Sequence, residues 1–175
     1  MTSALHQITM SFSAEEDRML LRVGTTDKAE YQLWMPRRFI RVLWSALIQV
    51  LENKSGLKAD TRPTAKKAVM AMEHQEAVGS ANFSLGHEDG YQDMTSDSGP
   101  LLIVGGTVSQ GNGNVTHLNL QVQGGGEVKL ALNQKLLHGL CKLLIETTAK
   151  AGWDLDLAVG DAAGFVVPED QTQVH

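Results

Sequence analysis

Three arginines stand at the start of a long apolar segment, at positions 37, 38 and 41. Guanidinium groups stay charged at any physiological pH and match the geometry of phosphate oxygens. In the first turns of a helix they oppose the helix dipole, at about 0.3–1 kcal/mol for each exposed charge. Residues that go against a local rule often mark function. Arg37, Arg38 and Arg41 therefore predict an anion-binding helix start.

The same feature recurs ninety-seven positions later in the chain. At this offset Arg38 corresponds to Lys135 and Arg41 corresponds to His138. Lys142 lies on the same polar side of the second segment. If the first stripe contacts phosphates, Lys135 and Lys142 are expected to supply the contacts of the second.

A simpler interpretation of the arginines is also open. Their aliphatic stems can cover apolar surface while the charged ends stay in water. Carboxylates earlier in the chain can also neutralise them, and the candidates are Glu15, Glu16 and Asp17. In this interpretation the helix start has a structural role only.

Other chemistry is not indicated. The glycines of 105–106 and 111–113 follow strands but precede another strand, so no helix N-terminus is available for a phosphate, and hairpin turns explain them better. The six histidines lack metal-binding spacing, and the segment 87–89 (His-Glu-Asp) is typical of a solvated loop. Cys141 lies in an apolar helix as an expected inert thiol. We expect no catalytic residues, no metal and no cofactor.

Composition indicates an ordinary globular protein. The 175 residues are 42% hydrophobic and 20% charged, which suits one domain with a substantial core. Residues 1–67 hold 11 Lys and Arg against 7 Asp and Glu, whereas residues 68–175 hold 4 against 13. The start of the chain lacks signal-peptide features and no apolar run is long enough for a membrane span, so we expect a cytoplasmic protein.

Alternating apolar residues predict two groups of three strands. The first group is expected at 6–13, 18–23 and 29–35, and the second at 101–108, 115–122 and 128–132. Gly24–Lys28, Gly111–Asn114 and Gly124–Gly126 have the composition of turns between strands.

Each group runs into a long helix, expected at 37–53 and 134–151. Asn133 is a good N-cap for the second helix, and Gly152 is a suitable glycine after its end. The first helix is apolar on most of its circumference, and Trp44 and Ile48 widen its apolar face. A helix of this kind must be covered on two sides, by its own sheet and by the second helix or another copy of the chain.

The segments between and after these groups are polar. A connecting helix is expected at 64–78, and the Gly- and Ser-rich stretch 79–100 is expected to be a mobile or functional loop. A short strand is expected at 153–159, and a flexible acidic tail is expected at 161–175.

These elements predict an α+β fold built from two β-β-β-α repeats, each an antiparallel meander followed by a long helix. We expect one domain over residues 1–160, with repeat one at 6–54, a helical and loop linker at 55–99, and repeat two at 100–152. Pseudo-twofold symmetry would let the two apolar helices and sheets bury one another.

This arrangement over residues 6–152 resembles, in topology, the Whirly-type and Pur-type binders of single-stranded nucleic acid. In those families strands followed by a helix occur twice, and nucleic acid lies across the sheet surfaces. Each unit here has three strands where those families have four. Tyr31 and Trp34 lie on opposite faces of one strand, so at most one ring is available for stacking.

Three functions follow as hypotheses. The first is a non-catalytic module, either a monomer or a homodimer, that binds single-stranded nucleic acid. Its expected contacts are Arg37, Arg38, Arg41, Lys135 and Lys142. The second is a protein–protein interaction or assembly module that uses the apolar helix surface around Trp44 and Ile48. The third is a small-molecule binder or enzyme with a site under the 79–100 loop.

Overall fold

A computed structural model describes residues 5–54, 63–79, 92–93 and 99–160. The described chain is a mixed α+β fold of one sheet and three helices. Its strands are β1 (Leu5–Ser13), β2 (Arg18–Thr25), β3 (Ala29–Pro36), β4 (Gln92–Asp93), β5 (Leu101–Gln110), β6 (Thr116–Val122) and β7 (Glu127–Leu132). Its helices are α1 (Arg37–Lys54), α2 (Pro63–Gly79) and α3 (Gln134–Lys150).

The sheet has the strand order β1-β2-β3-β5-β6-β7. Both predicted meanders are confirmed, since β1-β2-β3 and β5-β6-β7 each pair antiparallel. A short parallel pairing of β3 with β5 joins them, with Leu33 opposite Leu101 and Trp34 opposite Leu102. The two meanders therefore form one continuous sheet.

The helices cross from one meander to the other. Helix α1 follows β3 but packs against β5, and α3 follows β7 but packs against β1. Helix α2 packs on α3. The core lies between the sheet and α1 and α3, and its largest fully buried side chains are Met19, Leu21, Leu33, Met35, Ile40, Leu47, Ile103, Leu118, Leu120, Leu132, Leu137 and Leu140.

The ends of α3 confirm both predicted caps. The Asn133 side chain accepts a hydrogen bond of 2.8 Å from the backbone N–H of Leu136. After the helix, Gly152 has a φ of +69° and donates to the carbonyl of Ala149, while Trp153 donates to the carbonyl of Thr148. This is the Schellman arrangement, which needs a left-handed residue that glycine supplies without strain.

Some sequence expectations differ from the structure, and others fall mostly outside the described residues. Residues 153–159 form neither helix nor strand, although Trp153 and Val159 are buried. The predicted loop 79–100 contains β4, which pairs with β3; most of that loop, like the tail 161–175, lies outside the described residues. Trp44 is buried, and Ile48 packs against the core, so neither leaves a free apolar helix face.

Two expectations remain predictions. The repeated order of three strands and a helix is present, but a pseudo-twofold relation between the units is not established by this topology. The domain limits also stay a prediction.

Within the described ranges, none of the helices has the length and apolarity needed to cross a membrane.

The glycines at 105 and 106 lie inside β5 and not in the hairpin turn that the sequence favoured. A Cβ on Gly106 would stand 2.6 Å from the carbonyl oxygen of Asn119, which is backbone and cannot move aside. A Cβ on Gly105 would stand 3.0 Å from the side-chain oxygen of Gln121, which can rotate away. Of these two glycines, Gly106 alone is fixed by a close approach of backbone.

We predict that Gly106→Ala lowers the free energy of unfolding by about 1–3 kcal/mol, the usual cost of forcing extra atoms into a packed site. Gly105→Ala is the matched control, with an expected loss of less than about 1 kcal/mol because only a flexible side chain must move. Urea unfolding measures both variants. Equal losses would show that the approach of β5 to β6 does not depend on Gly106.

A candidate binding surface at the start of helix α1

The three arginines of the helix start are exposed in the folded chain. Among the described residues, no hydrogen bond or ion pair engages the guanidinium groups of Arg37, Arg38 and Arg41. Helix α1 also has no acidic residue in its first turn. Three like charges therefore lie within two helical turns without a neutralising partner.

Two of the three carboxylates proposed as partners, Glu16 and Asp17, are engaged elsewhere. Glu16 lies 3.6 Å from the guanidinium of Arg18. Asp17 accepts a hydrogen bond of 3.2 Å from the indole N–H of Trp153. The ion-pair interpretation of the arginines is thus wrong for Glu16 and Asp17.

A groove lies beside these arginines, between the start of α1 and β5. It has a volume of about 480 Å³, and its lining includes Arg38, Phe39, Val42, Leu102 and Val104. Val42 and Val104 keep 63% and 60% of their surface exposed, which is unusual for valine side chains. The groove therefore joins a positive charge to exposed apolar surface.

A β-bulge explains the position of Val104. Ile103 pairs with Val122 and Gly105 pairs with the next residue of β6, Gln121, so Val104 is an extra residue without a partner opposite. Bulges redirect side chains and are common beside functional sites. Here the bulge leaves Val104 pointing away from the core.

An apolar strip continues from the groove across the outer face of the sheet. Leu20 pairs with Trp34, and Trp34 pairs with Leu102, so the three side chains share one face. Their neighbours Leu21 and Leu33 are buried on the core face, and successive strand residues point to opposite sides. Leu20, Trp34 and Leu102 are only half-buried.

We call this region the α1–β5 surface. Its residues are Arg37, Arg38, Arg41, Val42, Leu20, Trp34, Leu102 and Val104. The arginines were predicted from the sequence, and so was the division of Tyr31 and Trp34 between two faces. Leu102 and Val104 were missed, because their position depends on the parallel pairing with β3 and on the bulge.

The other predicted phosphate contacts lie in a different setting. Lys135 lines a groove that also contains Glu73 and Glu76 of α2. Lys142 lies 3.8 Å from Glu146, one helical turn along α3. These carboxylates weaken the attraction of both lysines for an anion, so the arginines form the stronger candidate site.

The described residues provide little for covalent or metal chemistry. Burial raises the pKa of the Cys141 thiol to about 12, which keeps it protonated and unreactive at neutral pH. In the part of the chain that the structure describes, no three metal-ligating side chains gather around one point. The segment 87–89 and the predicted site under the 79–100 loop lie outside the described residues.

Comparison with known proteins gives no relative. No family model matches the chain, and no significant match was found among curated proteins or solved structures. The functional proposal therefore depends on the geometry and charge of the α1–β5 surface.

The exposure of Trp34 can be tested by collisional quenching, because the other two tryptophans, Trp44 and Trp153, are buried. We expect iodide to quench Trp34 preferentially, since the ring is half-exposed and the nearby arginines attract the anion. Trp34→Phe should remove most of the quenchable fluorescence, and Trp44→Phe should leave it. Unchanged quenching in Trp34→Phe would contradict the assigned face.

Proposed function

We propose that the protein is a non-catalytic binding module, and that single-stranded nucleic acid binds across the α1–β5 surface. The main support for this proposal is that three unpartnered arginines lie beside a half-buried indole and an apolar strip. Proteins that bind single strands without sequence preference use this pairing of cationic groups and stacking surface.

Each part of the surface has a distinct role in this proposal. Arg37, Arg38 and Arg41 contact phosphates and set the path of the strand. Trp34 stacks against a base, and Leu102 and Val104 extend the apolar platform beside it. Every base has an aromatic face, so this recognition tolerates any sequence. The net charge of −5 opposes distant phosphates, which favours a short contact of only a few nucleotides.

We further infer that a pseudo-twofold axis relates the unit β1-β2-β3-α1 to the unit β5-β6-β7-α3. The reciprocal packing of α1 on β5 and of α3 on β1 supports this relation. The bulges support it too. The register of β1 shifts after Leu5, which pairs with Thr25. The register of β5 shifts after Ile103, which pairs with Val122. Thr25 and Val122 are ninety-seven positions apart.

Burial follows the same offset along the helices. Leu43 and Leu140 are both buried, and so are Leu47 and Leu144. The largest difference along the stripe is that Arg41 is exposed and its equivalent His138 is buried. This difference is consistent with a binding surface on the first unit only.

A second candidate function is self-association through the same surface. Val42, Val104 and the half-buried Leu102 form an apolar patch of the kind that protein interfaces cover. In a dimer built on this patch the arginines would lie at the rim. The two candidates differ in what covers Trp34, either a base or a second copy of the chain.

We predict that Arg37→Ala, Arg38→Ala and Arg41→Ala combined abolish most of the binding to labelled oligo-dT in a polarisation titration. For three phosphate contacts on a single strand, the slope of log K against log salt is expected near −2, and the triple variant should lose most of it. The matched control is Lys66→Ala, Lys67→Ala and Lys150→Ala, which changes the net charge equally. Equal losses in both variants would show a general charge effect and no site.

Trp34→Ala is expected to weaken oligo-dT binding by about tenfold or more, the usual effect of removing one stacking ring. The salt slope should not change, because no phosphate contact is lost. Native mass measurement of the wild type separates the two candidate functions. A stable dimer that dissociates in Val104→Asp, together with no oligo-dT binding, would favour self-association.

A further inference from the structure

A pair of histidines joins α2 to α3. The Nδ1 atom of His74 lies 2.9 Å from the Nδ1 atom of His138, and the ring centroids are 5.1 Å apart. His138 keeps only 2% of its surface exposed, and His74 is half-buried. The two histidines are sixty-four residues apart in the chain, so this contact exists only while α2 is docked.

The hydrogen-bond geometry allows one hydrogen between the rings. The amide nitrogen of Gln134 lies 3.1 Å from Nε2 of His138 and donates to it. His138 then carries its proton on Nδ1 and donates to Nδ1 of His74. Rotating the Gln134 amide by 180° reverses both bonds, and a single hydrogen still lies between the Nδ1 atoms. Two imidazolium rings would each place a hydrogen there and cannot keep the contact.

The groups around the pair favour a neutral His74 ring at neutral pH. Burial and then the charge of Lys142 lower the pKa of His74 from its ordinary value. On α3, Lys135 and Lys142 are positive, and Glu146 pairs with Lys142. On α2, burial and the charge of Glu76 raise the pKa of Glu73, so its negative charge weakens as the solution becomes acidic.

The described carboxylates carry less negative charge under acidic conditions. They therefore stabilise a doubly charged histidine pair least under the conditions in which the pair would form.

We propose that the contact between His74 and His138 is an acid-sensitive latch that holds α2 on α3. The latch is closed at neutral pH, because burial and Lys142 hold the pKa of His74 below its ordinary value and keep that ring neutral. A depressed pKa in the folded state gives stability that is present above the unfolded value and is lost as the pH falls through the folded value. Docking of α2 therefore weakens between pH 6.5 and the lowered pKa of His74.

Release of α2 changes the charge of the second unit. His138 occupies the stripe position equivalent to Arg41, and α2 covers it. Once α2 leaves, a charged His138 joins Lys135 on an open helix face. That consequence rests on the proposed function, since it adds a second phosphate-binding face in acid. The latch itself does not depend on it.

Hydrogen exchange followed by mass spectrometry tests the latch in the full chain. Between pH 7.5 and pH 5.0, after correction for intrinsic exchange, we expect peptides of 63–79 to lose protection by about tenfold or more. Peptides of β2 and α1 should keep their protection at both pH values. His74→Gln and His138→Gln should remove this pH dependence, and His117→Gln, an exposed histidine on β6, should retain it.

Two results would overturn the latch: protection of α2 that does not change with pH in the wild type, or the same change in His74→Gln. If a variant leaves α2 undocked at every pH, NMR titration of the wild-type imidazoles decides. Coupled titration below the ordinary histidine range supports the latch, and two independent titrations near 6.5 contradict it. Oligo-dT binding at both pH values then tests the second phosphate-binding face separately. If binding does not increase in acid, the hydrogen-exchange result for the latch is unaffected.

Discussion

The burial of α1 against β5 is the contact on which the rest of the structure depends. The helix is apolar on most of its circumference, and the sheet of its own unit covers only part of that surface. By packing on the first strand of the second unit, α1 joins the two meanders across the short β3–β5 pairing. The same contact brings Arg38 beside Val104 and so creates the groove. Fold and candidate site are thus consequences of one packing requirement.

Much of the fold was predictable because its causes are local. Alternating apolar residues gave six strands within a few residues of their ends, and the cap of Asn133 and the glycine at 152 marked the ends of α3. The arginines were recognisable because they oppose the dipole of their own helix. The features that were missed are non-local. The neighbour of Trp34 on β5, the bulge at Val104 and the engagement of Asp17 by Trp153 each depend on segments far apart in the chain.

The comparison of the two units links structure to function. Core positions ninety-seven residues apart are buried in both, as Leu43 and Leu140 show. The differences lie at the surface and involve α2, which packs on α3 and buries the histidine in the position of Arg41. One unit therefore presents open arginines, whereas the other presents lysines beside carboxylates. We propose phosphate recognition by the first unit and, through the contact between His74 and His138, control by pH in the second.

The most direct test of the central claim is an NMR titration of the isotope-labelled protein with oligo-dT at low salt. Binding across the α1–β5 surface predicts that the largest shifts involve the Trp34 indole N–H, the amides of Arg38, Val42 and Val104, and the methyl groups of Leu102. The residues of α2 should change little at neutral pH. Shifts confined to other parts of the molecule, or none at all, would contradict the assignment of this surface.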